Sequence, residues 1–199
     1  MNIVEHRSGA WSPGLSDAER ETLFRVAIDT LDWCVRGERT PFTFQSYPVT
    51  PRIETPTATF VTLKMHGMLR GCIGSLAPTA PMIRSVHENA VNAALRDFRF
   101  RPVTPRELPR LDVDISILSP IRSVPSAEDF TIGEHGIIVE KHGRSAVYLP
   151  EVAVEQGWDR DQTLSSLCEK AGLPHDAWRD GARFKVFSSV VLTRDNERG

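Results

Sequence analysis

The seven residues Leu69-Arg70-Gly71-Cys72-Ile73-Gly74-Ser75 hold the side chain best suited to chemistry, a thiol set between two glycines. Glycine carries no Cβ, so the backbone there can bend sharply and come close to a neighbour, which leaves the thiol within reach. The thiolate is the reactive form of cysteine, and a nearby cation favours it. Residues two apart on a strand share a face, so Arg70 is expected beside Cys72. Cys72 and Arg70 are the candidate catalytic residues, framed by Gly71, Ile73 and Gly74. A base is also expected. His66 and His87 are the nearest in sequence, and each also reads as an ordinary turn or helix-boundary residue. The plain alternative for Cys72 is a small buried hydrophobe, with Arg70 in a structural hydrogen bond.

The other two thiols, Cys34 and Cys168, lie on apolar helix faces and read as packed core. Cys72, His66 and His87 match no metal-ligand spacing. Asp112 and Asp114 share one face of a strand and read as a solvated face. Neither a metal nor a cofactor is expected.

The chain has 199 residues, 40% hydrophobic and 25% charged, with a formal net charge of -2. That suits one globular domain with a small lobe, and gives no overall field toward nucleic acid or membranes. Three separated cysteines without a CxxC pair point away from a disulfide framework and toward a reducing, cytoplasmic setting. The stretch from Met1 to Leu15 is polar, with no apolar signal core. No run approaches the roughly 20 apolar residues of a membrane helix. Arg96, Arg99 and Arg101 alternate with Phe98 and Phe100, a pattern that can hold a single strand of nucleic acid. The near-neutral charge favours phenylalanines in the core and arginines in solvent or ion pairs, so no nucleic-acid partner is expected.

The elements around these residues are readable. Ser16 and Glu19 form a capping box, and Gly37 is a stop, which predicts an amphipathic helix over 17–36. A proline-rich loop follows (Pro41, Pro48, Pro51, Pro56), either an irregular wrap or a cover over a site. Residues 58–65 and 68–73 flank His66-Gly67 and predict a hairpin. A two-residue turn would set Met65 opposite Met68 and Val61 opposite Cys72. Thr79 is expected to cap a second helix, with Pro81 in its first turn, running to near Asp97. Thr104-Pro105-Arg106-Glu107 predicts a capped short helix. Residues 111–118 alternate as a half-buried strand. A second hairpin turns at His142-Gly143. Pro150 starts a helix that Gly157 stops, and Asp159 with Gln162 caps the next, ended by Gly172 and Pro174. A last strand runs near 184–192, and the tail from Arg194 to Gly199 is polar and expected to fray.

The motif Leu69-Arg70-Gly71-Cys72-Ile73-Gly74 resembles the signature of the AMMECR family, named for a human chromosomal-deletion region. Its bacterial and archaeal members are called AmmeMemoRadiSam system protein A. The resemblance spans residues 17–192. It includes Phe60-Val61-Thr62-Leu63, Asn89-Ala90, Ala93-Ala94, Asp97 with Arg99-Phe100, Ile115-Ser116 with Leu118, His135 to Val139, Leu149-Pro150 with Val152-Ala153, Gln156 to Asp159, and Lys170 to Leu173. Phe98 and Arg101 stand where the family pattern shows proline, and Ser75 where it shows threonine. The resemblance implies a two-lobed fold with a cleft near the signature. It also implies partnership with a Memo-type protein and a radical S-adenosylmethionine protein. It settles no reaction and no oligomeric state. Asp97 and Arg99 join the candidate site because they match the block after the signature, and their pairing can equally pin the loop behind the helix.

The expected fold is α+β, a mostly antiparallel sheet flanked by helices. The main lobe is placed at about 16–119 plus 176–193, and the smaller lobe at about 120–175.

Overall fold

A computed structural model of the chain describes residues 3–194; the predicted fraying of the tail beyond Arg194 lies outside them. The elements are β1 (Ile3–Arg7), α1 (Asp17–Arg36), β2 (Thr59–Met65), β3 (Met68–Gly74), α2 (Met82–Leu95), β4 (Leu111–Leu118), β5 (Arg122–Val124), β6 (Gly136–Lys141), β7 (Arg144–Tyr148), α3 (Pro150–Gln156), α4 (Arg160–Lys170), β8 (Arg183–Phe187) and β9 (Ser189–Arg194). Among the described residues they form a five-stranded sheet, β1-β9-β4-β2-β3, and a four-stranded sheet, β5-β8-β6-β7. The fold is α+β.

The chain divides into two compact units. Of the described residues, the first holds 3–6, 13–117 and 191–194, and the second holds 7–12 and 118–190. Residues 176–190 thus fall in the second unit, not in the main lobe as the sequence suggested. The predicted last strand is in fact two. β8 pairs with β5 and β6 in the second sheet, and β9 lies beside β4 in the first. Ser188, between them, is where the chain changes sheets.

In the first unit α1 begins as the sequence predicts. The Glu19 amide donates to Ser16 Oγ, the Glu19 carboxylate accepts from the Ser16 amide, and Gly37 ends the helix at φ 69°. Left-handed φ favours glycine at that position. α1 and α2 pack together, and α2 lies across β2 and β3. Thr59, Val61 and Leu63 of β2 point into this core, while Phe60, Thr62 and Lys64 face the other way. The period of two buries one sheet face and leaves the other half-buried.

The start of α2 departs from the prediction. Its N-cap is Pro81 and has no side-chain cap, so Thr79 does not serve. The proline-rich loop does the work: the carbonyls of Thr55 and Ile53 accept from the amides of Met82 and Ile83 at 3.1 and 3.0 Å. An orphan helix amide needs an acceptor, and here backbone replaces the usual hydroxyl. The loop also seals the outer side of α1, through Thr50 to Glu19 and Tyr47 to Asp29.

Both hairpins turn on His-Gly. His66 and Gly67 have φ of 54° and 78°, and His142 and Gly143 have 51° and 74°. Two central residues at positive φ mark the tight turn that matches strand twist. The second unit builds its own core from Phe130, Ile137, Val139, Leu164, Leu167, Cys168, Phe184 and Val186, with α4 against β6 and β7. Asp159 and Gln162 cap α4 reciprocally. Cys168 is fully buried there, and burial raises its thiol pKa.

Candidate functional site

The first hairpin carries the site, and its register differs from a plain two-residue period. Met65 pairs with Met68 and Lys64 with Leu69, but Leu63 then pairs with Gly71. Arg70 is the extra residue of a β-bulge. As a result Cys72 faces Thr62, and Val61 faces Ile73, not Cys72. The same bulge removes the basis for setting Arg70 beside Cys72, because the strand period does not run through it. Arg70 turns to Glu107 instead: its Nε donates to Oε1 at 2.8 Å, and its Nη2 donates to Oε2 and to the Pro102 carbonyl. That contact holds the Glu107 carboxyl down at about 2, chiefly through the Arg70 hydrogen bond. Glu107 also accepts from the Thr104 amide and hydroxyl. This closes a turn followed by a single 3-10 turn at Leu108–Arg110, where the sequence predicted a short helix.

The glycines have specific neighbours. A Cβ on Gly71 would stand 2.3 Å from the Ala93 carbonyl oxygen, so α2 rests directly on β3. A Cβ on Gly74 would meet the Phe60 ring at 2.2 Å and the Thr59 carbonyl at 2.5 Å. Ile73 is half-buried beside Val61.

β3 is the last strand of its sheet, so one backbone edge faces away from β2. At Cys72 that edge is occupied. The Cys72 amide donates to Asp97 Oδ2 at 2.9 Å, and Arg99 Nη2 donates to the Cys72 carbonyl at 3.1 Å. Asp97 and Arg99 hold each other through Nε to Oδ1 at 2.9 Å and Nη2 to Oδ2 at 2.7 Å. The pair thus imitates a neighbouring strand for one residue, satisfying a donor and an acceptor that an edge otherwise exposes. Asp97 is buried, and its carboxyl is lowered to about 2, first by the Arg99 hydrogen bond, against the opposing effect of burial, and also by the Cys72 amide. Arg99 is raised, first by the Asp97 hydrogen bond; the charges of Asp97 and of the Cys72 sulfur act in the same direction.

Because the Cys72 amide and carbonyl point outward to this clamp, Cys72 and Thr62 are a non-hydrogen-bonded cross-strand pair, the kind that brings side chains closest. Thr62 Oγ1 donates to Cys72 Sγ at 3.3 Å. Cys72 is half-buried. On the far side of Thr62 the register sets Asp114, and Lys64 Nζ lies 2.8 Å from Asp114 Oδ2. One row across three strands therefore reads thiol, hydroxyl, carboxylate. Nothing in the spacing of Thr62 and Lys64 marks them as site residues, and Asp114 reads from sequence as part of a solvated face. The alternation of 60–64 and of 111–118 shows which residues share a face; only the register shows which stand side by side.

His87 is not placed as a base. Its Nδ1 lies 2.8 Å from Thr30 Oγ1, and its ring stacks on Phe42 at 4.5 Å, with Trp33 and Phe44 around it. Burial lowers its pKa from 6.5, with Arg84 adding to that and Glu88 opposing it. The unfolded chain then takes up this proton first, so His87 should weaken the fold as pH drops through 6.5. Denaturant midpoints at pH 8, 6.5 and 5 are expected to fall in that order, and less steeply in His87→Phe. His66 sits exposed at the turn. Cys34, half-buried on α1, has its thiol pushed up to about 11 by burial. Phe98 is 93% exposed rather than in the core, and Phe100 lies under the Arg99 guanidinium. Among the described residues no cluster of His, Cys, Asp and Glu is placed to hold a metal ion. No described helix is long and apolar enough to cross a membrane.

Comparison with known proteins gives a consistent result. Protein TK0174 of Thermococcus kodakarensis is 34% identical, with 93% of this chain and 95% of that one aligned. A protein of Methanothermobacter thermautotrophicus is 38% identical over 91% of this chain and 97% of its own. The crystal structure of the uncharacterized protein PH0010 from Pyrococcus horikoshii superposes with a TM-score of 0.84 at 31% identity, covering 93% of this chain and 96% of that one. The AMMECR1 family profile matches residues 24–192, and the chain belongs to that family.

Proposed function

We propose that Cys72 is the working group of this protein, a thiol nucleophile carried on a clamped edge strand. The observation that supports this reading is the Thr62 hydroxyl donated to Cys72 Sγ at 3.3 Å. A donor aimed at a group favours its anionic form. Thr62 leads on to the Lys64–Asp114 ion pair in the same row of the sheet. By the family resemblance, this thiol serves a system that includes a Memo-type protein and a radical S-adenosylmethionine protein in the cytoplasm.

Alkylation tests the reading. With iodoacetamide the sulfur forms a bond to carbon and iodide leaves. At pH 8, peptide mapping is expected to show Cys72 modified about 500-fold faster than Cys34, whose thiol at about 11 leaves roughly one part in a thousand as thiolate. Cys72 should also outpace a cysteine peptide, and Thr62→Val should slow it. A folded protein whose Cys72 reacts no faster than the peptide would defeat the reading.

A second reading has its own support. Gly71, Gly74 and Arg70 each have a packing or pairing partner that accounts for them. On that reading the motif is structural, and the protein is an interaction module. Full activity of Cys72→Ser in the reconstituted three-protein system would select it.

A further inference from the structure

We infer that the Cys72 site takes an anionic substrate, a carboxylate or phosphate ester, held by Arg99 next to the thiol; this rests on the reading of Cys72 as the nucleophile.

The five donors of Arg99 are divided between the protein and the solvent side. Nε and Nη2 face inward to Asp97 and the Cys72 carbonyl. Nη1 has no partner among the described residues, and the side chain is 45% exposed while Asp97 beneath it is 1% exposed. The carboxylate thus lies on the protein side of the pair and the cation on the solvent side. A guanidinium fixed this way has lost its rotamer freedom before any ligand arrives, so a ligand oxygen meets a preorganised donor.

The cation is also tied to the residue that bears the reacting sulfur. Arg99 grips the carbonyl of Cys72 itself, so the two cannot drift apart without breaking the clamp. Two other cations of the hairpin are already committed, Lys64 to Asp114 and Arg70 to Glu107. Phe98, the residue before Arg99, is 93% exposed and adds an apolar side chain to the same loop. A ligand with an anionic end and an apolar body suits this combination.

Two reagents that differ only in charge supply the test. Iodoacetate and iodoacetamide alkylate sulfur by the same displacement of iodide, and only iodoacetate is an anion. The ratio of their rates at Cys72, against the same ratio in a cysteine peptide, reads the field an anion meets at the sulfur. In the intact chain this ratio is expected to exceed the peptide's by about five- to tenfold at low salt. It should fall toward the peptide's value near 0.5 M salt, as screening requires. Arg99→Gln should lower the ratio, and Arg99→Lys should restore part of it. The salt series uses the unaltered protein, so the outcome does not depend on a variant folding. Fast reaction with iodoacetamide but a ratio at or below the peptide's would overturn the anion site and leave the thiol reading intact. Slow reaction with iodoacetamide would overturn both.

Discussion

Gly71→Ala is expected to destabilise the first unit by about 3 kcal/mol or more, the range of overpacking with a forced backbone shift. The methyl would arrive 2.3 Å from the Ala93 carbonyl oxygen, well inside contact distance. That oxygen is backbone, so no rotamer change relieves the clash. Either α2 lifts from β3 or the bulge rearranges. Lifting α2 would strain the buried network beneath it, in which Asn89 Nδ2 donates to the Thr59 carbonyl and hydroxyl at 3.0 Å and Thr59 meets Ser85 at 2.7 Å. Urea denaturation followed by tryptophan fluorescence would measure the loss. Gly67→Ala is the control, because nothing lies within 4 Å of its Cβ and only its φ of +78° opposes the change. A Gly71→Ala protein as stable as the Gly67→Ala protein would mean that α2 does not rest on β3 as described.

The second large effect is expected at Asp97. Asp97→Ala removes the acceptor of the Cys72 amide and the only carboxylate shown pairing Arg99 among the described residues. An orphaned buried amide together with an unpaired guanidinium should cost about 2–4 kcal/mol. Hydrogen exchange at the Cys72 amide is the local readout, and it should accelerate more than exchange at Thr62 or Ile115. Acid gives the same result without mutation. Asp97 titrates at about 2 in the fold against 3.8 ordinarily. Its stabilisation is therefore complete above pH 3.8 and is lost as pH falls through about 2. Asp97→Ala should flatten that part of the stability profile. An unchanged exchange rate at Cys72 would mean that its amide is satisfied elsewhere.

These two residues show what the sequence can and cannot say about the site. Local signals were legible. Ser16 with Glu19, Gly37, the two His-Gly turns and the alternation of 111–118 each act over a few residues, and each gave its element the right bounds or nearly so. Long-range effects were not. The bulge at Arg70 sets Gly71 opposite Leu63, on the face that meets α2, a contact with Ala93 that no local pattern announces. The clamp joins Cys72 to residues 25 and 27 positions away. The sequence offered a cation for the thiol from Arg70, two residues away, whereas the geometry supplies one from the loop after α2. Thr79 failed as a cap for a similar reason, since loop carbonyls had taken the α2 amides. β1 and β5 are short edge strands, five and three residues long, below the length at which alternation stands out.

A ribosome releases residues 118–188 before it releases β9, yet β9 lies between β1 and β4 in the first sheet. The four strands of the second sheet all fall between residues 122 and 187. The unit begun later is therefore closed earlier, while β1 waits for β9 and β4 keeps one bare edge. Domains fold as units while the chain is made, and unpaired edges invite wrong partners. A nascent chain halted near Ser188 would carry one finished sheet and one open one, and chaperones that bind exposed strands should hold it at that point.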